Sequence, residues 1–371
     1  MTTTIDGHFI ALLGCGAIGS RLARHLPANA EILCVDDQVV APENLGIANF
    51  DVGDLFEPKA RVVAAHRRAA GGRARALVGD IRYRFRPGLA RHLAAACLCL
   101  DNRAAIRDAC AALWSGRPDL PVFILTCGSG REYQIRVCVT RRTCPLCTWT
   151  PDERHDVAPA YVTTCADTTA PRASAAAAEG AARAGARLVA ASLAGDRSAA
   201  GLRLQCDGRD EYAIRMPTTP SATCPMPHAE PGPIEWLGGA IDGITVGGLA
   251  ARALTHAGED AEIVLGRRSV PLGGLYCAAC RTTAAAPQRL LPAALRHKIC
   301  DCPMPTLRPL GERTRLGARE LLAAPEATLT LAAWGAGAGD VFDAVGDKGH
   351  VRLGCDLGVH DLDEEAHDAG A

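Results

Sequence analysis

Phe9-Ile10-Ala11-Leu12-Leu13 is followed without a break by Gly14-Cys15-Gly16-Ala17-Ile18-Gly19, and a helix-like segment comes next. The apolar run predicts a buried strand, and the glycines predict a tight turn into the helix. In such a turn Gly14 permits the change of direction, Gly16 lets the backbone approach a phosphate, and Gly19 lets the helix pack against the strand. The N–H groups at the helix start would face that anion. The pattern therefore predicts a nucleotide-binding unit, and a turn without a ligand is the alternative.

An acidic pair, Asp36-Asp37, follows the next predicted strand, residues 31–35. A carboxylate at about this distance after the glycine turn holds the ribose in nucleotide-binding folds of this kind. We therefore assign Asp36 to the ribose. A hydride-transferring enzyme would need no further motif, whereas this chain continues with more polar residues at strand ends.

Strands and helices alternate along the first part of the chain, as in a parallel sheet covered by helices. The predicted strands are 9–13, 31–35, 76–79, 96–100, 122–126 and 133–139. The predicted helices are 20–26, 59–70, 87–94, 103–114 and 174–193. The predicted fold class is α/β, with a Rossmann-like, doubly wound, mainly parallel sheet and with zinc-stapled and C-terminal additions.

Three further polar residues lie where a nucleotide site would use them. Lys59 follows Glu57-Pro58 at the predicted start of a helix, where a lysine can reach a phosphate as a point charge. Asp101 ends an apolar run and is followed by Asn102. A carboxylate at the carboxyl end of a strand suits Mg²⁺. A surface lysine and a helix N-cap at Asp101 are the ordinary alternatives.

The overall composition is that of a globular protein, with 371 residues, 48% hydrophobic content and a net charge of −1. A charge so close to zero argues against a nucleic-acid partner. No apolar run reaches the roughly 18–20 residues that cross a membrane. Residues 1–7 lack the basic and apolar regions of a secretory signal. We therefore expect a cytoplasmic protein with no membrane partner.

Disulfides are rare in a reducing compartment, so the 17 cysteines need another explanation. Several lie in strand or helix patterns and are expected to be small buried apolar residues, and most of the rest are paired at metal-ligand spacing. Cys144 and Cys147 form a Cys-x-x-Cys pair after a predicted strand, which is half of a tetrahedral Zn²⁺ site. A later group has the spacing of a second, self-contained Cys₄ site, and its members are Cys277, Cys280, Cys300 and Cys302. We favour two separate zinc sites, and reduced cysteines without a metal are the alternative.

Taken together, these residues resemble the ThiF/MoeB family, the ubiquitin-activating-enzyme-like adenylyltransferases, over roughly the first 200 residues. The family order is strand, glycine loop, helix, acid–x–acid, Asn-Leu-x-Arg, a Lys after a Gly turn, Asp-Asn, and Cys-x-x-Cys. This chain has Gly14 to Gly19, Asp36-Asp37-Gln38, Asn44-Leu45-Gly46-Ile47, Val52-Gly53 with Lys59, Asp101-Asn102, and Cys144 with Cys147.

The resemblance implies an enzyme that uses ATP and Mg²⁺ to activate the C-terminal carboxylate of a ubiquitin-like protein, a sulfur carrier or a peptide. The product would be an acyl-adenylate, released pyrophosphate would accompany it, and the enzyme would be a homodimer. The implied roles are ribose binding by Asp36, phosphate binding by Asn44 and Lys59, and Mg²⁺ binding by Asp101, with Asn102 in the same site. The implied domains are an adenylation domain over residues 1–270 and a zinc-ribbon-like module with a C-terminal extension over 271–371.

Two more assignments come from the resemblance. Cys165 lies where some relatives carry a crossover-loop cysteine that accepts the acyl group as a thioester or joins a persulfide relay. A helix N-terminus nearby would favour its thiolate, and an unreactive loop cysteine is the alternative. Relatives complete the first zinc site with a second Cys-x-x-Cys, and here Cys224 and His228 would complete it as Cys₃His.

The chain departs from the family pattern at two positions. Ile47 stands where the family has Arg, and Gln38 stands where it has a second acid. The missing Arg removes a phosphate clamp, for which Arg61 or an Arg of a partner subunit would have to substitute. One alternative function is therefore a non-catalytic scaffold. The other is an NAD(P)-dependent Rossmann oxidoreductase, against which Lys59, Asp101-Asn102 and the zinc cysteines argue.

Overall fold

The computed structural model describes residues 9–81, 85–138, 144–149, 173–206, 213–221, 224, 232–265, 269–272, 274–277, 279–285, 288–294, 298–302 and 307–356. Contacts divide the chain into two compact units. Unit 1 comprises Met1–Phe85, Leu89–Glu230 and Leu362–Ala371, and unit 2 comprises Arg86–Gly88 and Pro231–Asp361.

A large sheet forms the centre of unit 1. Its strands are β1 (Phe9–Leu13), β2 (Glu31–Asp36), β3 (Arg73–Val78), β4 (Leu93–Leu98), β5 (Val122–Cys127), β6 (Tyr133–Cys138), β7 (Leu202–Cys206) and β8 (Ala213–Pro217). The helices of this part of the chain are α1 (Ala17–His25), α2 (Lys59–Ala69), α3 (Pro87–Ala90), α4 (Arg103–Gly116) and α5 (Ala175–Leu193). Within the described ranges the eight strands lie in the order β3-β2-β1-β4-β5-β6-β7-β8. Strands β1 to β5 are parallel, and β6 to β8 join antiparallel. The predicted α/β class with a mainly parallel, doubly wound sheet is confirmed.

Two details of the sheet differ from the sequence analysis. The alternation predicted a parallel sheet up to residue 139, but β6 pairs antiparallel with β5 because only a short turn joins them, in which the Gly128 N–H donates to the Glu132 carbonyl. A parallel pair would need a crossover of a dozen or more residues. The predicted helix 87–94 ends at Ala90, since Leu93 already pairs with Phe9 as the start of β4.

Alternate residues of the central strands are buried on opposite faces of the sheet. Ile10 and Leu12 of β1 belong to a core that also holds Leu22 of α1, Val63 of α2 and Val189 of α5. The residues between them in β1 are buried as well, so the whole strand is inaccessible. This double burial is why the central strands are continuous apolar runs, as expected when helices cover both faces.

The strand order reverses beside β1. This strand pairs in parallel with β2 on one side and with β4 on the other, because the chain runs from β1 to β3 in one direction and then crosses back to β4. In open α/β sheets, ligands bind at such a reversal, outside the carboxyl ends of the strands. Gly14 follows β1 and Asp101 follows β4, so both residues lie at this position.

The glycine turn brings three backbone segments together. Gly14 has φ +92°, and a Cβ atom there would lie 2.5 Å from the carbonyl oxygen of Cys99. The Gly14 N–H donates to the Val35 carbonyl, and the Cys99 N–H donates to the Leu13 carbonyl. A Cβ atom on Gly19 would overlap the carbonyl oxygen of Gly14. Only glycines therefore allow α1 to start this close to the ends of β1 and β4.

Unit 2 is built around a smaller, mixed sheet. Its strands are β9 (Ile234–Trp236), β10 (Glu262–Val264), β11 (Val270–Pro271), β12 (Leu275–Cys277), β13 (Thr283–Ala284), β14 (Leu307–Pro309), β15 (Glu312–Arg313), β16 (Arg315–Gly317), β17 (Val341–Gly346) and β18 (Gly349–Gly354). Its helices are α6 (Val246–Ala257), α7 (Leu291–Ala294), α8 (Ala318–Ala323) and α9 (Leu331–Trp334). In the described part of the chain, five strands form the sheet β16-β10-β17-β18-β9, and smaller sheets are β11-β15 and β13-β12-β14.

The core of unit 2 explains where the chain divides. Val246 and Leu249 of α6 share a buried cluster with Ile263 of β10 and Phe342 of β17. Helix α6 and strand β10 therefore belong to the later unit, and the compact units divide between Glu230 and Pro231. The boundary at 270/271 stays a prediction about domains.

None of the described helices combines the length and the apolar character needed to span a bilayer.

Replacing Gly19 by alanine tests the packing of the glycine turn. Alanine is the better helix former by roughly 1 kcal/mol, but its methyl group would overlap the Gly14 carbonyl, and overpacking costs about 1–3 kcal/mol. We expect Gly19→Ala to lower the free energy of unfolding in urea. Gly16→Ala is the matched control, since a methyl group there meets nothing within 4 Å. An equal loss of stability in both variants would contradict this packing.

Candidate functional site

The start of α1 is open beside Gly16. Gly16 is the N-cap residue of this helix, and no side chain caps it within the described residues. A Cβ atom on Gly16 would find no atom within 4 Å, so there is free space against the first backbone N–H groups of the helix. Those N–H groups have no partner inside the helix and carry partial positive charge. The turn thus offers the space and the donors that a phosphate group requires.

The Asp36 carboxylate, at the end of β2, is hydrogen-bonded to this turn. Its carboxylate accepts a 2.6 Å hydrogen bond from the Cys15 N–H through one oxygen and a 2.8 Å bond from the Gln38 N–H through the other. Burial raises the pKa of the Asp36 carboxyl above its ordinary value, although both N–H groups and the charge of Lys59 act in the opposite direction. Each oxygen can accept a further hydrogen bond, so the carboxylate can hold a ribose hydroxyl as well.

Lys59 is buried, whereas the sequence analysis left open whether it is a surface lysine. The residue is only 5% exposed, and its ammonium donates a 2.7 Å hydrogen bond to the side-chain oxygen of Gln38. Its backbone N–H donates to the Gln38 carbonyl, so two bonds join these residues. A lysine is almost never buried without a partner. Because the Gln38 amide is neutral, this bond does not cancel the lysine charge as an acid at position 38 would.

Asn44 and Ile47 occupy the loop before α2. The Asn44 side-chain oxygen accepts a 3.0 Å hydrogen bond from the Ala41 N–H and so closes the 3₁₀ turn Pro42–Asn44. The Ile47 carbonyl accepts two bonds from the Arg21 guanidinium, at 3.2 and 3.1 Å. A guanidinium therefore lies beside residue 47, although it comes from α1. The predicted substitute, Arg61, is on α2.

Asp101 and Asn102 have different roles after β4. The Asn102 side-chain oxygen accepts hydrogen bonds from the N–H groups of Ala104 and Ala105, at 2.8 and 3.2 Å. Asn102 is therefore the N-cap of α4, and the alternative that Asp101 fills this position is wrong. The Asp101 side chain is exposed at the strand reversal. Such a carboxylate is a suitable oxygen ligand for Mg²⁺.

Two residues of this site were not among the predicted site residues. Gln38 was noted only as a departure from the acid–x–acid pattern, yet it holds the Lys59 ammonium. Arg21 gave no sequence signal beyond its place two residues after Gly19, and its contact with residue 47 depends on how α1 packs. The hydrogen bonds and the charge interaction bring the start of α1, the Asp36 carboxylate and the buried Lys59 ammonium together, and such groups can bind phosphate and hydroxyl groups.

Three cysteines of unit 1 lie together, the Cys144/Cys147 pair that the spacing predicted and Cys224, which the family resemblance implied. The Cys144 sulfur lies 3.6 Å from that of Cys147 and 3.4 Å from that of Cys224. Sulfurs about 2.3 Å from one Zn²⁺ would be roughly 3.8 Å apart at the corners of a tetrahedron. Burial and the neighbouring sulfurs raise the pKa of the Cys144 thiol, so a bound cation is needed to keep it as a thiolate. These cysteines could hold a metal ion.

Some predicted residues have no structural account. Cys165 and His228 lie outside the described residues, so the thioester role and the fourth ligand of this cluster stay predictions. The later cysteines Cys277, Cys280, Cys300 and Cys302 form a second group in unit 2 that could also hold a metal ion.

No family model and no curated protein sequence matches the chain. Among solved structures, it is similar to Escherichia coli MccB with ATP, with a TM-score of 0.45 and 15% identity over 60% of this chain and 66% of that one. For MccB, the microcin C7 biosynthetic enzyme, in complex with N-formylated MccA, the identity is 14% over 60% of this chain and 67% of that one, with a TM-score of 0.45. For PaaA the TM-score is 0.43, with 12% identity over 58% and 65% of the two chains. The chain thus spans just under two thirds of the length of MccB with ATP.

Removing one thiol tests metal binding by the first cluster. We expect Cys144→Ala to lose one equivalent of zinc and to unfold at a lower temperature, because structural zinc contributes folding free energy. Metal content of the purified protein, measured by mass spectrometry, gives the answer. Cys97→Ala is the matched control, since Cys97 is equally buried but lies in β4. A Cys144→Ala protein with its full zinc content would rule this ligand out.

Proposed function

We propose that the chain is an ATP-dependent adenylyltransferase that activates a carboxylate as an acyl-adenylate. The observation that carries the proposal is the buried Lys59 ammonium, which lies beside Gln38 and close enough to Asp36 to act on its charge. A dinucleotide site for hydride transfer needs the glycine turn and the acid but not this cation. A buried cation is costly to place, and it suits a reaction in which negative charge builds up on a phosphate.

Different residues would bind different parts of the nucleotide. The N–H groups at the start of α1 and the space at Gly16 would receive a phosphate, and Asp36 would accept a ribose hydroxyl. Lys59, whose charge acts on the Asp36 carboxylate, would act on the phosphates as well. Asn44 and Asn102 hold backbone in place, so they would shape the site through the turns that they close. Asp101 would bind Mg²⁺, which neutralises phosphate charge when present.

The chemical step would be a substitution at the α-phosphorus of ATP. A carboxylate oxygen of the substrate forms the new bond to phosphorus, and the bond from phosphorus to the pyrophosphate oxygen breaks. The leaving electron pair goes with pyrophosphate, and no proton needs to be removed from a carboxylate at neutral pH. The chain's own contribution is therefore electrostatic, from Lys59 and the backbone donors.

The substrate would be the C-terminal carboxylate of a ubiquitin-like protein, a sulfur carrier or a peptide. This class rests on the ordered motifs of the ThiF/MoeB resemblance, of which the sheet brings Gly14–Gly19, Asp36 and Lys59 together. Cys165 would serve a later acyl or sulfur transfer. A homodimer in the cytoplasm belongs to the same proposal. Arg21 lies beside Ile47, near the position of the missing family Arg, but its guanidinium is bonded to the Ile47 carbonyl and to Glu179, so nucleotide binding has to decide between an enzyme and a scaffold.

Nucleotide binding tests the proposal directly. At 100 times its Kd a ligand stabilises a protein by about 2.7 kcal/mol, so ATP with Mg²⁺ should raise the unfolding temperature and NAD should not. We expect Lys59→Met to weaken ATP binding by about 10- to 100-fold, because a charged hydrogen bond contributes about 1.5–3 kcal/mol. Lys348→Met removes an exposed lysine and serves as the control. Stabilisation by NAD alone would support an oxidoreductase, and no response to either nucleotide would support the scaffold.

The Mg²⁺ assignment has a separate test. We expect Asp101→Ala to fold normally, since the side chain is exposed, and to bind ATP equally well with and without Mg²⁺. The wild-type protein should bind ATP more tightly when Mg²⁺ is present, as measured by titration calorimetry. Asp119→Ala, at a side chain that is 74% exposed, controls for the loss of surface charge. An Asp101→Ala protein with the wild-type response to Mg²⁺ would exclude this ligand.

A further inference from the structure

Four cysteines of unit 2 converge on one point. They come from two separate segments, Cys277 and Cys280 from one and Cys300 and Cys302 from the other, and all four sulfurs lie within 4.8 Å of one another. The sulfurs of Cys277 and Cys302 are 4.0 Å apart. This is close to the roughly 3.8 Å edge of a tetrahedron of sulfurs about 2.3 Å from a central Zn²⁺. It is also far beyond the 2.05 Å or so of a disulfide bond.

The turn between β12 and β13 contains a residue in an energetically unfavourable backbone conformation, and this turn places Cys280 near the other sulfurs. Arg281 has φ +62°, in the left-handed region that a residue with a side chain rarely adopts. The turn is closed by the Cys277 N–H, which donates to the Thr282 carbonyl, and by the Arg281 N–H, which donates to the Cys277 carbonyl. Strain of this kind persists where the surrounding structure requires it. Here it brings Cys280 back beside Cys277.

The sheet β13-β12-β14 has little apolar support of its own. Its strands are two or three residues long, and none of its described residues belongs to the buried core of unit 2. Leu275 and Cys277 are buried, while Thr283 and Arg308 are exposed. Three such short strands do not bury enough surface to fold by themselves, and small modules of this kind depend on a disulfide or a metal.

We propose that unit 2 carries its own zinc ion, bound by Cys277, Cys280, Cys300 and Cys302, and that this ion holds β12, β13 and β14 together. Four protein ligands leave no open position, so the ion is structural and takes no part in adenylyl transfer. The site is independent of the cluster at Cys144, which lies in the other compact unit. The proposal does not depend on the proposed function.

Metal content of the full-length chain tests the site. We expect two equivalents of zinc in the wild-type protein, one in Cys280→Ser and one in Cys144→Ala. Asp301→Ala is the matched control, because Asp301 lies between two of the ligands but its side chain is 94% exposed and pairs with Lys298. Asp301→Ala should keep both ions. A Cys280→Ser protein with the same zinc content as the wild-type protein, or a Cys144→Ala protein without zinc, would overturn the proposal, as would iron in place of zinc.

A second measurement covers the case in which Cys280→Ser fails to fold. In Cys144→Ala, which retains this site alone, zinc is replaced by Co²⁺, and a tetrahedral tetrathiolate site then gives intense visible absorption with one equivalent bound. Removing the ion with a chelator should speed amide exchange in residues 274–277, 279–285, 298–302 and 307–309, while the core residues of β10 and β17 stay protected. Co²⁺ spectra of octahedral type, or equal exchange with and without the ion, would overturn it.

Discussion

The close approach of Gly14, Gly19 and Cys99 is the constraint on which the rest of unit 1 depends. Side chains at either glycine would push α1 away from the ends of β1 and β4. The N–H groups of α1 would then no longer lie at the reversal of strand order, and Asp36 would lose its bond to the Cys15 N–H. One packing contact therefore sets both the direction of α1 and the position of the acid on β2. The glycines serve the fold first, and Gly16 alone is left free for a ligand.

Charge burial is the second organising feature of this site. Asp36 and Lys59 are both nearly inaccessible, and taking such groups out of water costs several kcal/mol each unless they are satisfied. Asp36 meets this cost with two backbone N–H groups, and Lys59 meets it with the neutral Gln38. The net effect is a fixed cation and a fixed hydrogen-bond acceptor. In the proposed function these groups would need no rearrangement when a nucleotide binds, which is the preorganisation that electrostatic catalysis requires.

The cysteine clusters connect distant parts of the chain. In unit 1, Cys144 is buried, and its sulfur lies beside that of a residue far along the chain, Cys224. In unit 2, Cys277 belongs to a small sheet whose described residues lie outside the main core. Both groups thus bring together cysteines that are distant in the sequence. Many of the other cysteines, such as Cys34 and Cys97, simply fill the sheet core.

Local pattern was sufficient for much of this description. The apolar run before Gly14 predicted β1 to the residue, and the Cys-x-x-Cys spacing predicted that Cys144 would lie beside Cys147 and Cys277 beside Cys280, because these features depend on neighbours along the chain. Other features depend on contacts between distant segments. Burial of Lys59 follows from where α2 meets the loop at Gln38, and the Arg21 bond to the Ile47 carbonyl follows from how α1 packs. The choice of Asn102 over Asp101 as N-cap rests on a shift of one residue in helix start. Periodicity predicts that an element exists, whereas its ends and its polar partners are set by tertiary packing, which a single sequence does not display.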